Sequence, residues 1–406
     1  MARLIIPPLF SVRGKLNIGQ AMTLVLSDTI VRYLKQKGEE IFFHSKAYNS
    51  QGLPLEKRLL EEKRPLDDNS FFSRAESLIF QIEEDKKRLN LSKDGSSYLD
   101  HSPEMRRFSQ EVFSKLFSKG YILLDQGEFY LDSPRILRDQ SFQDCLGKIF
   151  FQPISFFKQL EQISQDVSKP LKISKIRKFA TPLPNSSLFL DPLFDLTTQH
   201  LSLGNSSPTI QICGRNMATR YILYSLLINF ALKGTSHVDS VIVHNILNDS
   251  TGRRMSSVNG NLKGLDEIPL KYHNDAVRYA FLRATTFDRE TANFDIDFLK
   301  EGQNSVYRIG NLRKFFLSHN VSFGNIPLDE RVIAEYSRSM DHFDLKKAFD
   351  FSQLYLQELS RQIKKEHDER KLSGFREKAV KYKTGTFMAY PFMPEICTKS
   401  KELLNF

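Results

Sequence analysis

The fold can be predicted outward from residues 14–38, GKLNIGQAMTLVLSDTIVRYLKQKG. This segment has the pattern of a tight turn followed by a helix that ends at a glycine. Apolar residues recur every four positions along it and predict one buried helix face. These residues are Met22, Leu26, Ile30 and Leu34. The apolar runs RLII, which precedes the segment, and EIFFH, which follows it, predict two strands. Strand, helix and strand at this spacing form a βαβ unit, so the sequence predicts a parallel sheet in an α/β fold.

Two glycines mark where a ligand would bind. Parallel sheets bind ligands at the carboxyl ends of their strands, and Gly14 and Gly19 lie at that end, beside the N-terminus of the predicted helix. Backbone N–H groups at a helix N-terminus favour phosphate. The turn NIGQ at residues 17–20 is therefore a candidate nucleotide site, although taken alone it is more typical of an ordinary strand-to-helix turn.

The composition is that of a globular protein with a basic surface. The 406 residues are 40% hydrophobic and 26% charged, and the length predicts two or three domains. A net charge of +10 and a pI near 9.3 favour polyanions such as RNA, DNA or anionic lipid, or else serve solubility alone.

Cysteine spacing and apolar runs argue against several classes of protein. Cys145, Cys213 and Cys397 form no CxxC pair or Cys/His cluster, so we expect no structural zinc or other metal site, and a reducing compartment. The run MARLIIPPLF is too short for a signal peptide, and residues 221–232 are about half the length needed to span a bilayer. We therefore expect a soluble, cytoplasmic protein with no membrane partner.

Several segments, in one order, resemble class I aminoacyl-tRNA synthetases. KLNIGQA resembles their HIGH motif, and GRRMSSVNGN resembles their KMSKS loop with the Gly-Asn that follows it. NSQGLPLEKRL, CGRNMATRY and VIVHN are similar to elements of the subgroup that activates methionine, isoleucine, leucine and valine. NDAVRYAFLRATTFDRETANFD, RIGNLRKF and YPFMPEI look most like methionyl-tRNA synthetases. The resemblance covers most of the chain apart from one insertion.

The resemblance implies an α/β architecture with three parts. A Rossmann-type parallel-sheet catalytic domain would occupy residues 1–60 and 175–268, and a helical connective insertion residues 61–174. A C-terminal α-helical bundle that resembles an anticodon-binding domain would occupy residues 269–406. Within the insertion the sequence predicts helices near residues 71–89, 103–119 and 155–167. After it, TIQICG, the helix 217–233 and SVIVHNIL restore the α/β pattern.

The resemblance also carries site roles onto positions of this chain. The catalytic positions are Asn17 and Gln20, where the family has histidines, and Arg254 and Ser257, where it has lysines. The ATP-binding positions are Gly19, Gly214, Asn216, His244, Met255 and Ser256. The amino-acid pocket positions are Phe10, Ser11, Leu193 and Tyr221. His244, on an apolar strand, is equally typical of a satisfied core histidine.

The substituted positions keep hydrogen-bonding groups but lose charge. The amides of Asn17 and Gln20 can donate to phosphate oxygen without carrying charge, and Asn216 replaces a ribose-binding aspartate. Arg254 keeps the positive charge of the first lysine, whereas Ser257 lacks that of the second. The loss of one charged contact in the transition state typically costs roughly 3–4 kcal/mol. The pocket residues differ from those that hold methionine in the family, so the amino acid is not identified.

Partners and activity follow from the resemblance and from charge. We expect ATP, accompanied by Mg²⁺, an amino acid, and tRNA or a tRNA-like RNA, with a protein partner left open. The RNA-binding candidates are Arg361, Lys364, Lys365, Arg370 and Lys371, although such a run also fits a solvated helix face. Two functions stay open. One is a ligase that adenylates an amino acid and esterifies a tRNA, slowly or with altered specificity. The other is a non-catalytic paralogue that keeps the fold for binding or regulation.

Overall fold

The computed structural model describes residues 3–7, 10–12, 15–45, 47–49, 53–92, 98–99, 102–166, 168–176, 179–203, 208–256, 260–321, 323, 326–368 and 374–399. The chain forms two compact units. The first unit comprises Met1–Lys15, Glu39–Glu84 and Lys93–His244. The second unit comprises Leu16–Gly38, Asp85–Ser92 and Asn245–Phe406.

The strands of the described residues are mostly short. They are β1 (Arg3–Ile6), β2 (Phe10–Ser11), β3 (Ile41–Phe43), β4 (Ala47–Asn49), β5 (Tyr98–Leu99), β6 (Ile122–Asp125), β7 (Glu128–Leu131), β8 (Phe150–Gln152), β9 (Leu171–Lys172), β10 (Ser174–Lys175), β11 (Phe189–Leu190), β12 (Thr209–Gly214), β13 (Val238–His244), β14 (Ile246–Asn248) and β15 (Thr291–Asn293).

The helices account for most of the remaining regular structure. They are α1 (Ile18–Gln36), α2 (Leu53–Glu61), α3 (Asp68–Lys87), α4 (Pro103–Ser118), α5 (Ser133–Leu137), α6 (Gln140–Leu146), α7 (Ile154–Asp166), α8 (Pro192–Leu203), α9 (Arg215–Lys233), α10 (Asn274–Ala284), α11 (Asp297–Ser318), α12 (Glu330–Asp341), α13 (Leu345–Asp368), α14 (Phe375–Ala389) and α15 (Pro394–Thr398). None of the described helices has the length and apolar character required to cross a bilayer.

The first unit is built on a five-stranded parallel sheet in the order β3-β1-β12-β13-β8. Chain order reverses at β1, because β3 pairs with one side of it and β12 with the other. Such a reversal opens a crevice at the carboxyl ends of the strands, and β12 and β13 end there at Gly214 and His244. The predicted parallel sheet of Rossmann type is confirmed, and RLII and EIFFH are the adjacent strands β1 and β3.

One hydrophobic core joins this sheet to the segment predicted as an insertion. Cys213 and Val241 of the sheet, Ile222 of α9, and Phe113 and Leu116 of α4 belong to the same buried cluster. β8 comes from the same segment and pairs in parallel with β13 as an edge strand of the sheet. The segment is therefore packed into the first unit through both side-chain and backbone contacts.

That segment contains a hairpin as well as helices. The helices predicted near residues 71–89, 103–119 and 155–167 are present as α3, α4 and α7, but β6 and β7 pair antiparallel between α4 and α7. Gln126 and Gly127 connect the two strands with φ values of 47° and 79°. Two left-handed residues match the twist of a two-residue hairpin, so DQGE carries a turn signal.

SVIVHNIL, expected as one strand, is divided at Asn245. β13 and β14 belong to different sheets, and β14 pairs in parallel with β15. Asn245 Nδ2 donates to the carbonyl of Ala284 at 3.2 Å, and Asn245 Oδ1 accepts from the backbone N–H of Thr286 at 2.8 Å. These bonds hold Asn245 against the end of α10, which separates the two strand pairings.

The second unit packs α1 with α10–α15, and the close approach of α10 and α11 depends on a glycine. A Cβ at Gly302 of α11 would lie 2.7 Å from the carbonyl oxygen of Ala276 in α10. A larger residue would therefore push the helices apart. The predicted C-terminal helical bundle is present in this unit as α11–α14.

A buried ion cluster fixes α1 within the second unit. Asp28 and Arg278 are fully buried and pair at 2.8 Å, and Arg32 pairs with the same carboxylate oxygen at 2.7 Å. Ser92 N donates to the other oxygen of Asp28 at 2.6 Å. Burial alone would raise the pKa of Asp28, but the guanidinium groups of Arg278 and Arg32 hold it below its ordinary value.

Arg278 extends this cluster to two further chain segments. Its guanidinium donates to the carbonyl oxygens of Leu89, Pro391 and Phe392, each at 2.9 Å. The sequence segments NDAVRY and YPFMPEI are thus joined by one buried side chain. Since charged buried donors are costly when unpaired, these carbonyls and Asp28 together make the burial of Arg278 tolerable.

Replacing Asp28 by Asn should destabilise the second unit by about 3–5 kcal/mol, because two buried guanidinium groups would lose their counter-charge. Urea unfolding followed by circular dichroism measures the change. The matched control is Asp297→Asn, since Asp297 pairs with Lys300 on the surface, where ion pairs contribute about 0–1 kcal/mol. A loss in Asp28→Asn no larger than in the control would contradict the role assigned to the cluster.

The difference in stability between the wild type and Asp28→Asn should depend on pH. The pKa of Asp28 is lowered on folding, so its contribution to stability is present above the unfolded-state pKa of about 3.9 and is lost as the pH falls through the lower folded value. We expect the stability difference between the wild type and Asp28→Asn to be constant from about pH 5 to 7 and to shrink below about pH 4. Urea midpoints across this range measure it, and a difference that grows towards low pH would have the wrong sign.

Candidate functional site

The turn at the start of α1 is closed by its own two amide side chains. Asn17 is the N-cap residue, and its Oδ1 accepts from the backbone N–H of Gln20 at 3.0 Å. Gln20 Oε1 accepts from Asn17 N at 3.1 Å and from Asn17 Nδ2 at 2.7 Å. This reciprocal capping satisfies helix N-terminal donors. It leaves Gln20 Nε2 as the side-chain donor of the pair that has no hydrogen-bond partner among the described residues.

Gly19 sits inside this cap. A Cβ at Gly19 would lie 3.3 Å from Asn17 Oδ1, a contact tight enough to disturb the cap. The glycine therefore preserves the cap at the N-terminus of α1.

The chain that follows the KMSKS-like loop returns to this turn within the second unit. Asn17 and Gly264 form an antiparallel bridge. Ile18 N donates to the carbonyl of Lys263 at 3.1 Å, and Leu265 N donates to the carbonyl of Leu16 at 2.7 Å. The HIGH-like segment is therefore connected by backbone hydrogen bonds to the residues that follow the KMSKS-like loop.

The carboxylate of Asp249 closes the first half of the KMSKS-like loop. Its Oδ1 accepts from Thr251 N and Arg253 N, both at 3.0 Å, and from the Thr251 hydroxyl at 2.6 Å. Arg253 also pairs with Oδ2 at 3.3 Å. The side-chain bonds from Thr251 and Asn261 hold the pKa of Asp249 well below its ordinary value, so this buried carboxylate is ionised throughout the physiological range.

Asn261 joins the two halves of the loop. Its Nδ2 donates to Asp249 Oδ2 at 2.9 Å, and its Oδ1 accepts from Ser256 N at 3.1 Å. Arg254 is exposed and bridges Asn248 in antiparallel fashion through its backbone, while Met255 is buried and its N–H donates to the carbonyl of Leu247 at 3.3 Å. Ser257, the predicted catalytic position, lies outside the described residues.

In the first unit, three predicted ATP positions lie close together. Gly214 and His244 are register partners at the ends of β12 and β13. A Cβ at Gly214 would lie 2.9 Å from Asn216 Oδ1 and 3.2 Å from His244 Cε1. His244 is buried, whereas Asn216 is exposed in the first turn of α9. Gly214, Asn216 and His244 are thus closely packed at the strand ends and the N-terminus of α9, where a side chain at position 214 would clash with Asn216.

The predicted amino-acid pocket positions lie in a strand pair and in the core of the first unit. Phe10 and Ser11 pair through their backbones with Tyr48 and Asn49, and their side chains lie outside the described part of the chain. Leu193 is half-buried against the core of the first unit. Tyr221 is fully buried in that core.

The predicted RNA-binding cations divide into surface and structural groups. Arg361, Lys364 and Lys365 are exposed on α13, where Arg361 pairs with Glu358 at 3.7 Å. Arg370 and Lys371 lie outside the described residues. Two further cations of this region are buried: Lys378 pairs with Glu366 at 2.8 Å, and Lys383 donates to the carbonyl of Ile326 at 2.7 Å. These two stabilise the helical unit instead of facing solvent.

Sequence reasoning missed Asp249 and Asn261 as organising residues of the loop. The signal for Asp249 was a loop aspartate followed two residues later by threonine and three residues later by glycine, which is typical of an Asx turn. Nothing in the spacing of Asn261 pointed to Asp249, because the contact joins residues that are twelve positions apart in the chain. Among the described residues, no group of three or more His, Cys, Asp or Glu side chains could hold a metal ion.

Comparisons with known proteins bear on the family resemblance and on the fold. A family model described as tRNA synthetases class I (M) matches residues 3–142. The isoleucine–tRNA ligase of Erwinia tasmaniensis is 28% identical over 145 residues, 36% of this chain and 15% of the relative. That of Aliivibrio fischeri is 27% identical over 173 residues, 39% of this chain and 18% of the relative. The match thus spans less than a fifth of these curated relatives.

Solved structures extend the likeness of fold to the whole chain. Mycobacterium tuberculosis methionyl-tRNA synthetase in complex with methionyl-adenylate superposes with a TM-score of 0.81 at 14% identity, covering 98% of this chain and 92% of that one. A second structure of that synthetase bound by methionyl-adenylate gives a TM-score of 0.79 at 14% identity. The family model and the sequence relatives confirm the resemblance to class I aminoacyl-tRNA synthetases that the motifs predicted, and the solved structures show that the fold is shared.

Proposed function

We propose that this protein uses ATP to activate an amino acid and transfers it to tRNA or a tRNA-like RNA, at a rate or with a specificity altered by its substituted signature residues. Adenylation joins the amino-acid carboxylate to the α-phosphate of ATP and releases pyrophosphate. The protein's part is to position these groups and to stabilise charge on the phosphates.

One observation carries the proposal. The NIGQ turn and the segment after the KMSKS-like loop are hydrogen-bonded to each other, through Asn17 with Gly264 and Ile18 with Lys263. Loops that had lost a nucleotide-binding role would have no need of this geometry, since α1 is already anchored by Asp28. The family model supports the same assignment, because it covers the NIGQ turn.

The residues that would contact ATP provide neutral donors and one cation. Gly19 lies in the first turn of α1, and Gln20 Nε2 is a side-chain donor beside it. Arg254 is an exposed cation of the loop, next to Arg253, which pairs with Asp249. Mg²⁺ would accompany ATP as a bound substrate ion, and we place the protein in the cytoplasm with its substrates.

A binding paralogue is the second candidate, and the cap of α1 favours it. Asn17 and Gln20 form three hydrogen bonds with each other. Asn17, which stands where the family has its first histidine, therefore serves here as a helix cap. Asn216 and Ser257 also lack the charges found in the family. If each substitution weakened the transition state by about 1–3 kcal/mol, most of an enzyme's usual rate advantage would be lost.

Pyrophosphate exchange separates the two functions. With each of the twenty amino acids, with and without total tRNA, the wild type should exchange with one amino acid. Arg254→Ala should lower that rate by about 10²–10³, because it removes a cation from the phosphates. The matched control is Arg289→Ala, since Arg289 is an exposed arginine of the same unit with no assigned role. Silence with every amino acid, alongside intact tRNA binding, would establish the paralogue instead.

RNA binding would use the exposed cations of α13. A triple variant of Arg361→Glu, Lys364→Glu and Lys365→Glu should weaken binding of a tRNA pool by about tenfold or more and reduce the salt slope by roughly 2–3, because phosphate contacts release counterions. Fluorescence anisotropy at several salt concentrations measures both. The control is Arg331→Glu, Arg338→Glu and Lys347→Glu, which changes the charge equally at other exposed positions. Equal losses in the two variants would show that net charge, not this surface, determines binding.

A further inference from the structure

We propose that Asp249 and Asn261 form a latch that folds the KMSKS-like loop into its nucleotide-ready shape before ATP arrives, which makes Asp249 a positioning residue for the reaction. The inference rests on the proposed function, because it assigns a role within the same loop. Neither residue needs to touch the substrate, since both act through the backbone that carries Arg254 and Ser256.

The first argument is the number of bonds that converge on one carboxylate. Asp249 accepts two backbone N–H groups and a hydroxyl at Oδ1, and an amide and a guanidinium at Oδ2. Its backbone is also paired with that of Arg253, because Asp249 N donates to the Arg253 carbonyl at 2.8 Å. Hydrogen bonds to an ionised acceptor are about twice as strong as neutral ones, so this turn is unusually well fixed for a polar loop.

The second argument is that the latch rests on a rigid element. Asn248 pairs with Asn293 in the β14–β15 ladder, and its carbonyl accepts from Phe294 N at 2.9 Å. Asp249 follows directly. On the opposite side, Asn248 bridges Arg254, so the residue that carries the loop cation is aligned with a strand. Positioning is most accurate when it is built on such elements.

The third argument is the direction of the Asn261 side chain. Its amide nitrogen faces Asp249 and its carbonyl oxygen faces the N–H of Ser256, so one side chain connects the turn to the middle of the loop. The described parts of the loop, up to Ser256 and from Gly260, are thus joined by the protein's own groups. A loop that is ordered beforehand does not consume binding energy when ATP arrives. That is valuable here, because Ser257 cannot supply the attraction of a lysine.

Hydrogen exchange of the full chain tests the latch at individual amides. In the wild type the N–H groups of Thr251, Arg253 and Ser256 should be protected. Asp249→Ala should speed exchange of all three by about tenfold or more, whereas Asn261→Ala should release Ser256 alone. The control Asp288→Asn changes an exposed carboxyl of the same unit and should leave all three unchanged. Unprotected wild-type amides, or unchanged protection in Asp249→Ala, would overturn the latch.

An exchange of the Asp and Asn side chains between positions 249 and 261 distinguishes a role in positioning from a role in loop folding alone. Asp249→Asn places an amide donor against the donor of Asn261, and ATP affinity, measured by calorimetry, should fall about fivefold or more. Adding Asn261→Asp restores one acceptor and one donor across the contact, while both positions keep an oxygen for the backbone. The double variant should therefore regain loop protection and ATP affinity together.

The outcomes separate this inference from the proposed function. If the substitution of Asp249 speeds hydrogen exchange of these amides but leaves ATP affinity unchanged, the contact is structural and the positioning role is wrong. If the wild type binds no ATP at millimolar concentration, the proposed function fails and the positioning role fails with it, while exchange still reports whether the latch exists. Rescue of both readouts in the double variant supports the proposal.

Discussion

The buried carboxylate of Asp28 is the constraint on which the second unit depends. It neutralises two guanidinium groups, Arg32 on its own helix and Arg278 on α10, in a place where either charge alone would be strongly unfavourable. Arg278 then binds the carbonyls of Leu89, Pro391 and Phe392. One ion cluster therefore determines which chain segments can surround α1.

Fixing α1 has consequences at its N-terminus. The cap of Asn17 and Gln20, the bridge to Gly264 and the bonds of residues 16–18 with residues 263–265 all require the helix to begin in one place. The KMSKS-like loop then has one fixed end at β14 and another beside this cap. Between those ends, Asn261 connects Asp249 with Ser256 by hydrogen bonds.

The substituted signature residues have lost charge while the surrounding geometry is kept. Asn17 and Gln20 cannot carry charge, and they satisfy donors at the N-terminus of α1. Gly214 packs closely against Asn216 and His244 at the strand ends of the first unit. A scaffold of this kind keeps orientation and gives up part of the electrostatic stabilisation. This is why we propose slow or altered chemistry in preference to none. The site roles, the domain boundaries and the amino acid remain predictions.

Apolar periodicity and ordered motifs are local signals, so the sequence alone predicts the parallel sheet, the helix at residues 18–36 and the resemblance to class I aminoacyl-tRNA synthetases. The sequence also contains the turn DQGE, although only helices were predicted for the insertion that carries it. The division of SVIVHNIL at Asn245, the partners of Asp28 and the contact of Asp249 with Asn261 were decided by tertiary structure alone. Each depends on a buried polar group that must find a partner far along the chain, and no local pattern specifies which partner that is.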